Sequence, residues 1–324
     1  MLTPETLRNF FKNLRETGYM WQVQTPDRLL AFRKNPTPFR PIVQWLGLGL
    51  AVTAEELISD GIHPGTLDLL IKESFAVPAR FAASKSDALK ATMAIGGTGD
   101  LHVVHDHWPP DAEEAGGYVH YAAESEWLAR ACNRDLEGFI GKRVLDLGCS
   151  SGALAFEVGG VADKVIGLDI SERSIEWARA SSAAYGFTNM RFEAMAIGSK
   201  QAEALVSTEK WDVAVMNPPM VVPAQDVAWP HRDGGALGVE LPLLFLEFSH
   251  RHLREGGEVL MLATNPIVHG KNIFFDKLDR RKWDLIEKRC IHPQFNQAVA
   301  RKQNYAEQGI QNIELWYLHL KACV

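Results

Sequence analysis

From Gly141 onward the chain alternates between short apolar runs and longer amphipathic stretches: KRVLDLG, ALAFEVGG, KVIGLDI, SERSIEWARASSAAYG, MRFEAMAI, WDVAVMN, ELPLLFLEFSHRHLR and GGEVLMLAT. The short runs, rich in Val, Ile and Leu, read as strands buried on both faces, and the longer stretches as helices. This order leaves few architectures open. Parallel strands must be joined by crossovers, and the crossover helices then cover the sheet. The expectation is an α/β fold with a doubly wound, mostly parallel sheet whose ligands sit at the carboxyl ends of its strands. Two more strands are expected near WDLIEKRC and IELWYLHL.

Residues 1 to about 115 have a different character. Leu7, Phe10, Phe11 and Leu14 recur at helical spacing, which predicts a helix with one buried face. Thr53 followed by AEEL, with Glu56 three positions on, has the form of a capping box. TLDLLIKESF reads as a further helix, and GGTGDLHVVHD as a turn and a short strand. The segment HWPPDAEEAGG, residues 107–117, is rich in turn formers. A helix-rich N-terminal domain over 1–115, serving recognition, as a lid or as a dimer surface, is therefore expected ahead of a domain over 116–324.

VLDLGCSSG, residues 144–152, is a strand running into a tight glycine turn. A side chain at Gly148 or Gly152 would keep a ligand from the backbone. Asp146 stands at the strand end, and Asp169 ends the next strand 23 residues later, where a carboxylate suits a ribose diol. The pattern is D-x-G-x-x-x-G, unlike the G-x-G-x-x-G of nicotinamide sites. An acid leading the turn repels a pyrophosphate and suits an ammonium.

These residues resemble motif I and the second-strand acid of class I methyltransferases dependent on S-adenosylmethionine (SAM), over about residues 118–324. The resemblance implies a Rossmann-like methyltransferase sheet with SAM as cofactor. By that likeness Asp146, Gly148 and Gly152 hold the methionine moiety and Asp169 the ribose hydroxyls. Cys149, Ser150, Ile170 and Asn217 complete the cofactor-binding set. Ser150 stands where many members carry a glycine, and a negative φ there would accommodate it. Met195 stands near the usual place of an adenine-binding acid.

WDVAVMNPPMVVP, residues 211–223, ends a strand in Asn and two prolines. Proline removes backbone donors and fixes φ. What remains at Asn217, Pro218 and Pro219 is a cluster of hydrogen-bond acceptors, suited to holding the N–H groups of a nitrogen nucleophile. Asn-Pro-Pro-aromatic marks methyltransferases acting on planar nitrogens, and with DGGALG and GGEVLML following, the pattern is most similar to release-factor glutamine methyltransferases. Met220 replaces the aromatic ring that stacks on a flat acceptor, which leaves aliphatic amines and a guanidinium open. The expected function is N-methylation of a small molecule, an amino acid or a protein side chain. Two alternatives are cyclisation of SAM itself, as in azetidine-2-carboxylate synthases, which releases methylthioadenosine, and methylation of adenine in a nucleic acid. A SAM-binding module without catalysis is the fourth.

Tyr118, Tyr121 and Trp127, just before the first sheet strand, are candidates to face the sulfonium or the acceptor. Trp229 and His231 lie on the loop after the Asn-Pro-Pro turn, where His231 has a pKa range suited to taking a proton. His102, His105 and His107 read as surface histidines, and no metal is expected. With 34 basic and 40 acidic residues, a net charge of −6 and no basic run, the chain lacks the usual footprint of a nucleic-acid binder, which argues against such a partner. No leader or membrane span is read from the N-terminus or the apolar runs, so a soluble cytoplasmic protein is expected.

Overall fold

The structure is a computed structural model and describes residues 1–79, 87–97, 101–107, 117–222, 232–295, 305 and 309–323. The N-terminal elements are α1 (Pro4–Glu16), α2 (Pro26–Lys34), α3 (Pro41–Leu46), β1 (Val52–Thr53), α4 (Ala54–Ser59), α5 (Pro64–Lys72), β2 (Ala76–Pro78), β3 (Ala88–Ala91), β4 (Ala94–Gly96) and β5 (Val103–His105). There follow α6 (Ala123–Arg134), β6 (Arg143–Leu147), α7 (Ala153–Gly159), β7 (Lys164–Asp169), α8 (Glu172–Tyr185), β8 (Met190–Ala194), α9 (Lys200–Val206) and β9 (Trp211–Met216). The chain ends with α10 (Glu240–His252), β10 (Leu253–Val268), β11 (Lys271–Asn272), α11 (Ile273–Lys277), β12 (Trp283–His292) and β13 (Ile310–Ala322). It divides into two compact units, one of residues 1–130, 150–157 and 171–190, the other of 131–149, 158–170 and 191–324.

In the first unit α1 begins at Thr3, whose hydroxyl accepts from the Thr6 amide, with Pro4 in the first turn. Leu7, Phe10, Phe11 and Leu14, all at most 1% exposed, form its buried face. That face meets α8: Phe11 stacks on Tyr185 at 5.1 Å. The Arg8 guanidinium donates to the carbonyls of Ala183 and Ala184, at 3.1 and 3.2 Å, placing a cation at the negative end of that helix. The capping box of α4 is formed by Thr53 and Glu56 as expected. β5 pairs with β4 in a small antiparallel ladder.

The histidines depart from expectation. His102 and His105 are only 2% and 6% exposed, and β5, VVH, is buried along its whole length rather than lying at the surface. The His102 backbone donates to and accepts from the Tyr185 hydroxyl. Asp106, also buried, takes both arms of Arg173 at 2.6 and 2.8 Å and the Val119 amide at 2.7 Å. Burial lowers His105 to about 4. Burial first, then repulsion from His105, Arg33 and Lys90, lowers His107 to about 3. Among the described residues no group of three His, Cys, Asp or Glu is placed to hold a metal ion, and no helix is long and apolar enough to cross a membrane.

The second unit holds the main sheet, of strand order β12-β13-β10-β9-β6-β7-β8, with β11 paired to β10. β6 runs parallel to β7 and β9, and β9 parallel to β10, whereas β10–β13 and β12–β13 are antiparallel. Leu145, Leu147, Ile166, Leu168, Ala214 and Met216 pack with α9 and α10 through Val206, Phe245 and Phe248. Residues of opposite parity, such as Val144, Val165, Val213 and Val215, are as deeply buried, as the continuous apolar runs require. β10 runs on past the expected GGEVLMLAT. Pro266 is tolerated there because it lies beyond Met261, the last β10 residue paired with β9.

These neutral histidines give the fold an acid-sensitive term. Their folded-state values lie below the unfolded value of about 6.5, so the unfolded chain binds protons first. Their contribution is present above pH 6.5 and lost as pH falls from there toward 4. The expected loss is about 2 kcal/mol per histidine at pH 5. Urea unfolding at pH 7 and pH 5 checks this, and His105→Asn is expected to flatten the dependence.

Candidate active site at the carboxyl edge of the sheet

Three neighbouring parallel strands end level with one another. Leu147 of β6 is in register with Leu168 of β7 and with Met216 of β9. The next residues are Gly148, Asp169 and Asn217, so the three sequence candidates share one edge. The level is fixed by backbone: the amides of Gly148 and Cys149 both donate to the Leu168 carbonyl, at 2.8 and 3.0 Å, and that of Met195 to the Asp169 carbonyl, at 2.7 Å. Gly148 has φ +74°, and a Cβ there would stand 3.3 Å from the Phe245 ring.

Asp146, on β6 between Gly167 and Val215, is fully buried. Its charge is felt at Cys149, whose thiol is pushed well above its ordinary range by burial first, then by Asp146 and Asp169. Negative charge is thus concentrated at this end of the sheet, where a cationic ligand fits. Ile170, beside Asp169, is 67% exposed, an apolar side chain standing at the strand end.

The turn continues into the first unit with Ser150 and Gly152. Ser150 does not have the negative φ expected of it: its φ is +47°. The strain of a non-glycine residue there is offset locally, because its hydroxyl donates to the His120 carbonyl at 2.6 Å. Gly152, at φ +94°, has the Phe156 ring 2.7 Å from where a Cβ would stand.

The question set by Asn-Pro-Pro has a structural answer. Met216 is the last β9 residue in the ladder, so Pro218 and Pro219 follow where no sheet hydrogen bond is lost. Asn217 is half-buried, Pro218 buried, and Met220 7% exposed. A backbone braid then holds the turn. The Val221 amide donates to the Arg232 carbonyl at 2.8 Å, and the Gly234 amide to the Val221 carbonyl at 2.9 Å. A Cβ on Gly238 would lie 2.6 Å from the Met220 carbonyl oxygen, and one on Gly234 2.6 Å from the Met220 Cα. Only glycine lets the two segments approach so closely. Thr264, 1% exposed on β10, donates its hydroxyl to the Met220 carbonyl at 2.9 Å.

Thr264, Gly234 and Gly238 were not singled out by sequence reasoning. The signal was present in DGGALG and in the LAT that precedes Asn265, but what they touch depends on neighbouring strands. Tyr118 and Tyr121 are buried at 6% and 5% exposure and Trp127 is half-buried, all within the first unit. Trp229 and His231 lie outside the described residues.

Residues 140–314, more than half of the chain, match the family described as a methyltransferase domain. The chain belongs to that family. Its fold is the class I, SAM-dependent one, and SAM is the methyl donor that goes with it. The chain is 34% identical over 139 residues to a tRNA (guanine(10)-N2)-dimethyltransferase of Methanothermobacter thermautotrophicus, a match covering 43% of this chain and 38% of that protein. It is 30% identical over 99 residues to the 23S rRNA (uracil(747)-C(5))-methyltransferase RlmC of Vibrio vulnificus, covering 31% and 23% respectively. It thus spans well under half the length of these curated relatives. A solved structure of Trm5b from Pyrococcus abyssi aligns over 97% of this chain and 78% of its own, at 12% identity and a TM-score of 0.49.

The argument against a nucleic-acid partner is corrected by these relatives, which are named for tRNA and rRNA. Net charge sums over a whole surface and does not report a local one.

The Ser150 geometry makes an ordering. Ser150→Ala keeps the positive φ and loses the hydrogen bond, and is expected to be about 1 kcal/mol less stable than wild type. Ser150→Gly loses the bond but relieves the strain, and is expected near wild type. Thermal unfolding of the three proteins checks the order.

Proposed function

We propose that this methyltransferase transfers the methyl group of SAM to a planar, exocyclic nitrogen of a base in RNA. The observation that carries the reading is the Asn-Pro-Pro turn, whose two prolines offer only acceptors, level with Gly148 and Asp169 at the sheet edge. Support for RNA over the smaller acceptors comes from the relatives, one of which is named for methylation at guanine N2.

In this reading Asp146 and the Gly148 turn hold the methionine end, Asp169 the ribose hydroxyls, and Ile170 packs beside the adenine. SAM, when bound, supplies an electrophilic methyl on a positively charged sulfur. The chain supplies position. The carbonyls of Asn217 and Pro218 accept the two N–H bonds of the amine and turn its lone pair, otherwise shared with the ring, toward the methyl. The same oxygens stabilise the positive charge that grows on nitrogen as the new bond forms. The proton leaves afterwards, so a strong base is not required. Met220 offers a polarisable thioether to the flat base in place of a ring. The amide of a glutamine side chain presents the same planar nitrogen, and the assay separates it from RNA.

The test incubates purified protein with SAM bearing a labelled methyl group and, separately, bulk tRNA, ribosomal RNA and a glutamine peptide, followed by mass spectrometry of the nucleosides and peptide. A methylated nucleoside is expected, and Asn217→Ala is expected to reduce its formation at least 100-fold (about 2.7 kcal/mol) while SAM affinity changes little. Asp146→Asn is expected to weaken SAM binding about tenfold, read by calorimetry. Methylthioadenosine formed from SAM alone, lost in Asn217→Ala, would sink the reading in favour of cyclisation.

A further inference from the structure

The carboxyl-terminal edge of the sheet carries a charge that the chain as a whole does not. Residues 271–292 hold seven Lys and Arg against four Asp and Glu, in a chain of net charge −6. In this segment Lys288, exposed on edge strand β12, sets its ammonium 5.2 Å from the centre of the Phe275 ring and 5.5 Å from that of Trp316. The two rings meet edge to face at 5.2 Å, and both remain partly exposed.

The patch is braced from beneath. The Trp316 indole N–H donates to Glu314 at 2.8 Å, and the same carboxylate oxygen accepts from the Asn265 amide at 3.0 Å. Asn265 is 1% exposed and also donates to Asn272. The patch also adjoins the Asn-Pro-Pro turn. Lys277 of α11 lies 3.7 Å from Glu240, whose other oxygen accepts the amides of Leu237 and Val239, in the segment braided against Met220.

Charge on an edge strand also guards against pairing with another sheet. That role needs neither an aromatic pair under the lysine nor a buried asparagine to hold it. We infer that β11, α11 and β12, with Trp316 of β13, form the surface over which the RNA strand carrying the target base runs, with Lys271, Lys277 and Lys288 meeting phosphates and the Phe275–Trp316 pair meeting a base or ribose. Such a combination of cations and partly exposed rings suits single-stranded nucleic acid. The inference rests on the RNA reading above.

The test measures binding of fluorescently labelled bulk tRNA by the full chain from 50 to 200 mM salt, for wild type, Lys288→Gln and the pair Lys271→Gln with Lys288→Gln. SAM affinity by calorimetry reports that the fold is intact. The pair is expected to bind at least fivefold more weakly and to lower the salt slope of log affinity by about 1.4, at about 0.7 per single-strand phosphate contact, with SAM affinity unchanged. Trp316→Leu is expected to weaken binding at every salt concentration without changing the slope. Unchanged affinity and slope in the paired variant, with wild type still methylating RNA, would overturn the surface and leave the function standing. A wild-type protein that neither binds nor methylates RNA overturns both.

Discussion

The site depends on three parallel strands stopping at the same height. Because Leu147, Leu168 and Met216 share one register, the residues that follow arrive together at an edge where the ladder no longer claims their polar groups. A one-residue slip of β9 would send Asn217 to the other face of the sheet. The slip is opposed by close packing, since Val213, Val215, Ala214 and Met216 differ in size and are all at most 4% exposed, so exchanging the two faces would leave voids and clashes. Packing of apolar side chains along β6 and β9 is therefore what positions a polar turn beyond them.

The remainder of the turn is held from outside the parallel core. Thr264 sits three residues past Met261, the end of the β9–β10 pairing, and reaches the Met220 carbonyl. That overhang exists because β10 continues as the antiparallel partner of β13, whose register with it extends from Glu258 through Val268. The two carboxyl-terminal strands thus do more than widen the sheet. Through β13, β10 stays paired past the point where its parallel neighbour ends.

Much of this was legible in the residues. The βαβ alternation, the glycine turn with its leading acid and the strand ending in Asn-Pro-Pro each depend on local chemistry, and each emerges where it was read. The first helix was legible for the same reason, through the spacing of Leu7, Phe10, Phe11 and Leu14. What escaped depends on contacts distant in sequence. His102 and His105 looked like polar surface because nothing in HVVHD reveals that this strand turns its side chains inward. The positive φ of Ser150 is accompanied by a hydrogen bond to a carbonyl 30 residues away. The argument against a nucleic-acid partner failed for a different reason: a charge summed over 324 residues does not report the sign of a stretch of 22.

Around Met220 the backbone and the side chain have different partners. The path of the turn is set by backbone against backbone at Gly234 and Gly238 and by one hydroxyl from Thr264, none of which involves the side chain at 220. In the proposed reading that side chain adjusts the fit to the flat acceptor. In the proposed reading, a substitution at 220 changes the surface offered to the acceptor while the carbonyls of Asn217 and Pro218 stay where they are, so selectivity could drift without the chemistry being rebuilt.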